Sequence, residues 1–206
     1  MRIRRIACMA LALTAAAQTP AGQWQSMFDG KTLKGWKETP FTGRGKVTIG
    51  DGAILLGAGH LTGITWTGDF PKSNYEVRLE AARLQGFDFF AGITFPVFTS
   101  FCSWINGGWN GTIVGLSSLD NYDASENETT TTRNFEKGRW YKLRLQVTAE
   151  RIAAWIDDEM VLEFEMGSRA VGLRYGEIEL SKPFGIASYG TVAGLRKIEY
   201  RVLPSE

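Results

Sequence analysis

The 206-residue sequence predicts an all-β protein built as a single antiparallel β-sandwich. Apolar and polar residues alternate with a period of two in several segments, which is typical of strands that bury one face. Glycines, Asp-Gly pairs and Asp-Asp pairs separate these segments, and such residues favour turns. Heptads and long stretches of helical periodicity are absent. No shift in composition divides the chain, so we predict one domain over residues 18–206 with its core at about 25–203.

The first 17 residues have the three-part pattern of a secretory signal peptide. Three arginines precede an apolar run over residues 6–16, and small residues at Ala15 and Ala17 suit cleavage after Ala17. The run is too short to span a bilayer comfortably, and no later segment resembles a membrane helix. The sequence therefore predicts an exported protein, periplasmic or extracellular, without a membrane span.

The net charge limits the classes of partner that the protein is expected to bind, and the cysteine content limits how its fold can be stabilised. Removing residues 1–17 takes away three arginines and no acidic residue, so the formal net charge changes from +1 to about −2. Such a nearly neutral protein lacks the electrostatic footprint for nucleic acid or an anionic membrane, so neither partner is expected. Cys102 then remains as the one cysteine, and without an intramolecular disulfide the core must hold the fold. The sequence leaves the oligomeric state open.

Six strands are predicted before residue 120. YEVRLEAARL gives the clearest alternation, because Tyr75, Val77 and Leu79 fall on one face while Arg78 and Glu80 fall on the other. The remaining five are short runs bounded by glycine or by an Asp-Gly pair. In order, the six are KVTIG (46–50), AILLG (53–57), GITWTG (63–68), YEVRLEAARL (75–84), FFAGITF (89–95) and GTIVGLSS (111–118).

Five more strands are predicted after residue 139. WYKLRLQV alternates as clearly as the earlier strand, with Tyr141 and Leu143 opposite Lys142 and Arg144. Two short turns join it to the next two strands, which predicts a three-stranded meander. In order, the five are WYKLRLQV (140–147), RIAAWID (151–157), MVLEFEM (160–166), PFGIASY (183–189) and LRKIEYRVL (195–203).

FCSWINGGWNGT, residues 101–112, is the segment most typical of a binding loop. Trp104 and Trp109 flank Asn106 and two glycines, so aromatic faces and an amide lie close together. Aromatic rings match the apolar faces of sugars, and amides match their hydroxyl groups. We therefore predict that Trp104, Asn106 and Trp109 bind a saccharide on a flexible loop. The alternative is that one or both tryptophans fill the edge of the sandwich.

The acidic stretch LDNYDASENETTTTRNFEKGRW, residues 119–140, suggests either a metal site or a wet connection. It fails the EF-hand pattern, because Tyr122 and Ser125 occupy the third and sixth positions counted from Asp120. An irregular site for a divalent cation such as calcium, built from Asp120 and its acidic neighbours Asp123, Glu126 and Glu128, stays open. The cofactor requirement is otherwise unknown from the sequence.

The sequence contains one histidine, His60, between glycines in GAGHLTG. Without a second histidine or a suitable cysteine, neither a zinc site nor a serine–histidine–acid triad is supported. We therefore expect His60 to be a surface turn residue. Cys102 is expected to be a small buried hydrophobic residue rather than a nucleophile.

An ordered set of motifs resembles the 3-keto-disaccharide hydrolase domain family. The motifs are FDGKTLKGW (28–36), YEVRLEAAR (75–83), FFAGITF (89–95), GRWYKLRLQV with AAWIDDE (138–159), and PFGIASYG with LRKIEYRVL (183–203). This resemblance, over about residues 25–203, implies a concanavalin-like jelly roll and exported proteins that act on 3-keto-glycosides. A ketone at C3 acidifies the C2 hydrogen, so a base and an acid suffice to release the C1 substituent.

The resemblance and the strand alternation together nominate site residues. Glu80 matches the family's strand glutamate and Asp120 an aspartate at the end of a middle strand, which implies a catalytic acid–base pair. Alternation places Arg78, Lys142 and Arg144 on the polar faces of their strands, where they are predicted to bind substrate. The alternative is that these basic residues form cross-strand ion pairs on a solvated surface.

The sequence also departs from the family at two motifs. Phe90 and Ala91 replace an Asn-Ser pair, and Ala187-Ser188-Tyr189-Gly190 occupies the place of a Gln-x-His-Gly motif. The main prediction is an exported carbohydrate-active enzyme that hydrolyses 3-keto-glycosides or cleaves them by elimination. The departures favour a second hypothesis, a non-catalytic, lectin-like carbohydrate-binding module of the cell envelope. A purely structural envelope module is a third.

Overall fold

The computed structural model describes residues 22–204. Its 15 strands form two antiparallel sheets packed face to face, which confirms the predicted jelly-roll β-sandwich. The predicted signal peptide, residues 1–17, lies outside the described residues, and the predicted domain limits stay a prediction. Within residues 22–204, no helix is long and apolar enough to cross a membrane.

All eleven predicted strands are present, and the meander after residue 139 is confirmed. The strands are β1 (Gln25–Ser26), β2 (Trp36–Glu38), β3 (Val47–Gly50), β4 (Ala53–Leu56), β5 (Thr62–Trp66), β6 (Tyr75–Gly86), β7 (Ala91–Val97), β8 (Ser100–Gly108), β9 (Ile113–Ser117), β10 (Thr131–Thr132), β11 (Trp140–Val147), β12 (Arg151–Ile156), β13 (Glu159–Glu165), β14 (Gly185–Ser188) and β15 (Thr191–Val202). A short 3₁₀ helix, Glu177–Ser181, precedes β14.

The two sheets are named A and B here. Sheet A has the order β13-β12-β11-β6-β15-β4-β3, and β1 pairs with β15 at one end. Sheet B has the order β10-β9-β8-β7-β14-β5-β2. Because about half of the neighbouring strand pairs join strands that are distant in sequence, the outer surfaces of both sheets are assembled from widely separated residues.

The core lies between the sheets and is aromatic. Tyr75 and Tyr141 enter it from sheet A, and Trp104 and Phe95 enter it from sheet B; all four are at most 1% exposed. Burial of this many large side chains is the main stabilising contribution in a chain whose one described cysteine, Cys102, is free and buried. The expectation that Cys102 is a small core residue is therefore correct.

The segment predicted to be a flexible binding loop is largely a strand. Residues 100–108 form β8, which is paired on both sides within sheet B. Its alternation is hidden in the sequence because seven consecutive residues of the strand are buried. Only the turn from β8 to β9, which carries Trp109, is a loop.

Candidate functional site

The outer face of sheet B, turned away from the core, carries two rows of small side chains. Each row crosses five strands through direct residue pairing. Most of these side chains are short. Ser103, Ile105 and Ser117 form the floor of the cavity described next, whereas Thr65, Thr94 and Ala187 are fully buried. The rows are Ser117–Ser103–Thr94–Gly185–Thr65 and Gly115–Ile105–Gly92–Ala187–Gly63.

A cavity of about 470 Å³ opens above the Ser103 end of this floor. That volume falls in the usual range of small-molecule sites. We call this cavity the sheet B pocket. Loops from five parts of the chain form its rim, and the rim residues are His60, Asp88, Phe89, Trp109, Arg174, Tyr175, Glu177 and Tyr189.

Aromatic rings form one wall of the sheet B pocket. The ring of Tyr189 lies edge-on to His60, with 4.9 Å between centroids, and stacks on Phe89 at 5.9 Å. Tyr189 is 37% exposed, so part of its ring faces the opening. Such a wall offers apolar surface next to the imidazole of His60.

Both carboxylates of the rim accept hydrogen bonds from backbone amides. Asp88 accepts from Phe89 N at 2.8 Å and from Asn110 N at 3.2 Å. Glu177 accepts from the backbone N–H of Thr42 at 3.0 Å. The Thr42 side chain and N–H, with a smaller contribution from His60, lower the pKa of Glu177. Glu177 is therefore ionised at neutral pH and acts as an acceptor rather than as an acid.

A polar chain leads from the floor to the outer rim. Ser117 donates from Oγ to Asp123 Oδ1 at 3.0 Å, and Arg174 forms an ion pair with Asp123 Oδ2 at 3.2 Å. Arg174 is 61% exposed at its side chain, so its guanidinium keeps further donors facing the pocket. Arg174 is the one arginine among the residues that line this cavity.

The turn that presents Trp109 is fixed from below by a buried cation. Arg83 of β6 reaches from sheet A and donates to the carbonyls of Gly107 at 3.2 Å and Gly111 at 2.8 Å. Trp109 has a φ of +45°, which is unusual for a bulky residue and requires support from its surroundings. Arg83 from below and Asp88 from the side provide that support.

The structure divides the predicted aromatic site. Trp109 lies on the rim of the sheet B pocket, and its role in binding stays a prediction. Trp104 and Asn106 are both fully buried and point into the interior of the sandwich. The prediction that these two residues contact a ligand is therefore wrong, because β8 turns its even-numbered side chains toward the core.

The predicted catalytic pair is also separated. Glu80 lies on the outer face of sheet A, where its carboxylate accepts from Arg196 and Lys197, each at 2.7 Å. Asp120 lies in the loop after β9, where it binds Arg169 and the N–H of Ala170. The structure places Glu80 on sheet A and Asp120 after a strand of sheet B and does not bring the two carboxylates together in either of the cavities described here, so their role as an acid–base pair stays a prediction without support from this geometry.

The basic residues predicted to bind substrate lie together, but away from the sheet B pocket. Arg78, Lys142 and Arg144 line a second cavity, of about 380 Å³, on the outer face of sheet A. Arg78 pairs with Glu199 at 2.6 Å and Arg144 with Glu76 at 3.1 Å, so the alternative of cross-strand ion pairs is also realised. Their role in binding stays a prediction.

The acidic loop does not fit a calcium site. Asp120 and Glu128 both bind Arg169, and Asp123 pairs with Arg174, so arginine already neutralises these carboxylates. Among residues 22–204, no group of three or more His, Cys, Asp or Glu side chains is placed to hold a metal ion. The residues present therefore do not fit the divalent cation that the sequence left open.

Sequence reasoning missed most of the pocket rim. His60 was expected to be only a turn residue, yet it lines the cavity, as do Arg174, Glu177 and Tyr189. A signal for Tyr189 was present, since this residue occupies the histidine position of the Gln-x-His-Gly motif. Ala187, at the glutamine position, lies on the neighbouring part of sheet B but is fully buried.

Comparison with known proteins identifies one family. The 3-keto-alpha-glucoside-1,2-lyase-like domain family matches residues 23–201. No curated protein sequence matches the chain.

Several solved structures share the fold at low sequence identity. Crh5 transglycosylase in complex with NAG has a TM-score of 0.61 at 14% identity, over 90% of this chain and 86% of that one. A protein from Parabacteroides distasonis described as a glycosyl hydrolase has a TM-score of 0.58 at 14% identity, over 88% of this chain and 94% of that one. The carbohydrate binding module CBM66 from Bacillus subtilis has a TM-score of 0.53 at 12% identity, over 81% and 95%. At these identities the likeness shows the fold alone.

Proposed function

The chain belongs to the 3-keto-alpha-glucoside-1,2-lyase-like family, and from that membership we propose that it cleaves 3-keto-glycosides by elimination in the sheet B pocket. One observation carries the assignment to this pocket. The sole histidine, His60, packs there against Tyr189, which occupies the position of the family's missing histidine. The His60 imidazole therefore lies beside the position at which the family motif carries its histidine, although it comes from a different loop.

The proposed reaction moves one proton and breaks one bond. A base removes the C2 hydrogen, and the electron pair is delocalised onto the C3 ketone oxygen as an enolate. The enolate then expels the C1 substituent, and the departing oxygen takes up a proton. The products are a free alcohol and a 1,2-unsaturated 3-keto sugar, and no water is consumed.

The residues of the pocket are assigned to these steps by their chemistry. His60 accepts the C2 proton, because its imidazole can act as a base on the rim and both rim carboxylates already accept backbone N–H groups. Arg174 stabilises the enolate oxygen through its free donors. Trp109 and Tyr189 stack on the sugar ring.

A specific observation favours a second function, saccharide binding without turnover. The residues of sheet B that line the pocket, Ser103, Ile105 and Ser117, are uncharged, and Ala187 stands at the glutamine position of the family motif. With Asp88 and Glu177 committed to backbone amides, His60 is the remaining proton acceptor of the rim. A pocket of this kind keeps the aromatic surface for binding even if the chemistry is lost.

Turnover of 3-keto-trehalose, followed as release of glucose and rise of the enone absorbance, tests the proposal. Wild type should turn over, with a rate that falls when the C2 hydrogen is replaced by deuterium. His60→Ala should lower the rate by about 10²- to 10⁴-fold, which is the usual contribution of a positioned base. Glu80→Gln is the matched control, because Glu80 lies on sheet A, and its rate should equal that of wild type.

The result decides between the two functions. Equal rates for wild type and His60→Ala contradict the role of His60. Calorimetric binding of the keto sugar by wild type without any turnover contradicts the enzyme and supports the binding module. Loss of turnover in Glu80→Gln but not in His60→Ala would show that the reaction takes place on sheet A instead.

We also propose that the protein is exported, since residues 1–17 have the pattern of a signal peptide. Expression of the full chain in a bacterial host should give a product whose N-terminus is residue 18. A product that keeps residues 1–17 in the cytoplasm contradicts export.

A further inference from the structure

The second cavity, on the outer face of sheet A, has the features of a separate binding site. It has a volume of about 380 Å³ and lies across β12, β11, β6 and β15. We call it the basic cleft. The residues that define it are Trp24, Arg78, Lys142, Arg144, Trp155 and Lys197.

Two arginines and two tryptophans stand in one line across the cleft. Arg144 and Arg78 are direct partners on β11 and β6, a juxtaposition of like charges that is unfavourable by itself. Arg144 lies 3.6 Å from the ring centroid of Trp155, and Arg78 lies 4.0 Å from that of Trp24. Packing against a ring restricts the movement of each guanidinium, which favours ordering of the two cations before any ligand arrives.

Two glutamates of the cleft are less exposed than the basic side chains around them. Glu80 and Glu199 are 15% and 28% exposed at their side chains, whereas Arg78 is 47%, Lys197 67% and Lys142 69% exposed. Glu80 and Glu199 are therefore the more buried members of these ion pairs, and the ammonium and guanidinium groups are the more exposed ones. A ligand that enters the cleft meets positive charge and the edges of two indole rings.

The positive surface is small. Asp158, 87% exposed, closes the cleft at one end, and Glu163 is exposed on the edge strand β13 beyond it. The chain as a whole is nearly neutral, with 23 basic and 22 acidic residues. A duplex or a flat membrane would have to approach these carboxylates and would gain no long-range attraction.

We propose that the basic cleft binds an acidic saccharide, one whose sugar rings carry uronate or sulfate groups. The anionic group lies between Arg78 and Arg144, which each spend one donor on a carboxylate and keep others free. Lys142 and Lys197 contact a second anionic group, and the edges of Trp24 and Trp155 contact the sugar rings at the two ends. This site is distinct from the sheet B pocket and does not depend on the proposed elimination.

Calorimetric titration with three tetrasaccharides tests the site: a tetragalacturonate, a sulfated tetrasaccharide and a neutral cellotetraose. At least one acidic probe should bind, more weakly as salt increases, and the neutral probe should not. Lys142→Gln should weaken binding roughly tenfold, as expected for loss of one charge-assisted contact. Lys142 suits this test because its acidic contact, Asp158, is distant at 3.9 Å, so the fold does not depend on it.

Two controls separate this site from the other proposals. Lys37→Gln removes the same charge from an exposed position on β2 of sheet B and should leave binding unchanged. Trp109→Ala alters the sheet B pocket and should also leave it unchanged, whether or not that pocket turns over a keto sugar. Equal affinity for the neutral probe, equal losses in Lys142→Gln and Lys37→Gln, or tighter binding of duplex DNA or anionic vesicles would overturn the proposal.

Discussion

Arg83 is a buried cation whose hydrogen-bond partners are carbonyls rather than carboxylates. Burial lowers the pKa of Arg83, and the nearby charge of Asp88 partly offsets this effect. Its guanidinium donates to Gly107 and Gly111 and lies over Phe90 at 5.5 Å. The cost of burying the charge is thus offset locally, in the turn that presents Trp109.

Arg83→Met should loosen that turn while roughly keeping the buried volume. The carbonyls of Gly107 and Gly111 lose their donor, so we expect the free energy of unfolding to fall by about 1–3 kcal/mol. Backbone amides of residues 107–112 should exchange hydrogen faster, which mass spectrometry of peptides can measure. Arg139→Met, at an exposed position, is the control, and unchanged exchange in the turn would contradict the role of Arg83.

Trp104 and Trp109 lie five residues apart, yet the same substitution should destabilise the protein to very different extents at the two positions. Trp104 is fully buried in the core, so Trp104→Ala should lower the free energy of unfolding by about 3–5 kcal/mol. Trp109→Ala should cost less than about 1 kcal/mol, because its ring lies on the pocket rim. Urea denaturation measures both values, and similar losses in the two variants would contradict the assigned positions.

At the scale of a strand, β6 is held by a carboxylate that is almost completely buried. Glu76 is 1% exposed and accepts from Arg144 at 3.1 Å, Gln146 at 3.0 Å and Arg201 at 2.6 Å. These donors lie on the two strands that flank β6. The carboxylate therefore ties β11, β6 and β15 together on the outer face of sheet A.

Glu76→Gln should be costly for its size. It removes a charge from two arginines in a buried setting, and we expect a loss of about 1–3 kcal/mol in the free energy of unfolding. Glu163→Gln breaks an exposed pair with Arg151 and should cost about 0–1 kcal/mol. Thermal and urea denaturation of the two variants provide the comparison, and equal losses would show that Glu76 contributes no more than a surface pair.

The strands that could be predicted are those with one exposed face. In β6, exposed Arg78 alternates with buried Val77 and Leu79, so the polarity of each residue indicates which face of the strand it occupies. In β8, the outer residues Ser103 and Ile105 are covered by the pocket rim and the inner ones by the core, so alternation disappears. Strands of two or three residues, such as β1 and β2, carry too few residues for any period.

The sheet B pocket could not be assembled from the sequence for a different reason. His60, Asp88, Trp109, Glu177 and Tyr189 come from loops that are distant in sequence and meet only through the strand order of sheet B. Alternation assigns a side chain to a face but does not say which sheet contains the strand. That limit explains why Glu80 was placed on the correct kind of face but in the wrong sheet for this pocket.

For the whole molecule, several carboxylates are held in their ionised form by the fold. The hydroxyl of Thr32 and neighbouring N–H groups lower the pKa of Asp29 to about 2. Burial by itself raises the pKa of Glu80, but hydrogen bonds from Lys197 and Arg196 outweigh it and leave the pKa lowered. The N–H of Ala170 and then Arg169 lower the pKa of Asp120.

Acid should therefore destabilise the protein. A carboxylate with a lowered folded-state pKa stabilises the fold above its unfolded pKa of about 4, and this contribution is lost as pH falls through the folded value. The free energy of unfolding from urea titrations should be level above about pH 5 and fall steadily toward pH 2. Glu80→Gln should lower stability near pH 6, and its difference from wild type should shrink in acid. Equal wild-type stability at pH 3 and pH 7 would contradict this reading.

The two proposed sites lie on opposite outer faces of one sandwich, and this arrangement predicts that they act independently. Coupling between sites requires an element with two arrangements that both ligands bias. The core between sheets A and B is continuous and tightly packed, and β6 is paired on both sides along its length. The test uses the His60→Ala variant, which should consume the keto sugar only slowly. The acidic tetrasaccharide is titrated into this variant with and without saturating 3-keto-trehalose. The keto sugar should change the affinity of the basic cleft for the tetrasaccharide by less than about twofold. A change of about fivefold or more in either direction would show that β6, which carries both Arg78 and Arg83, transmits ligand binding from one face to the other.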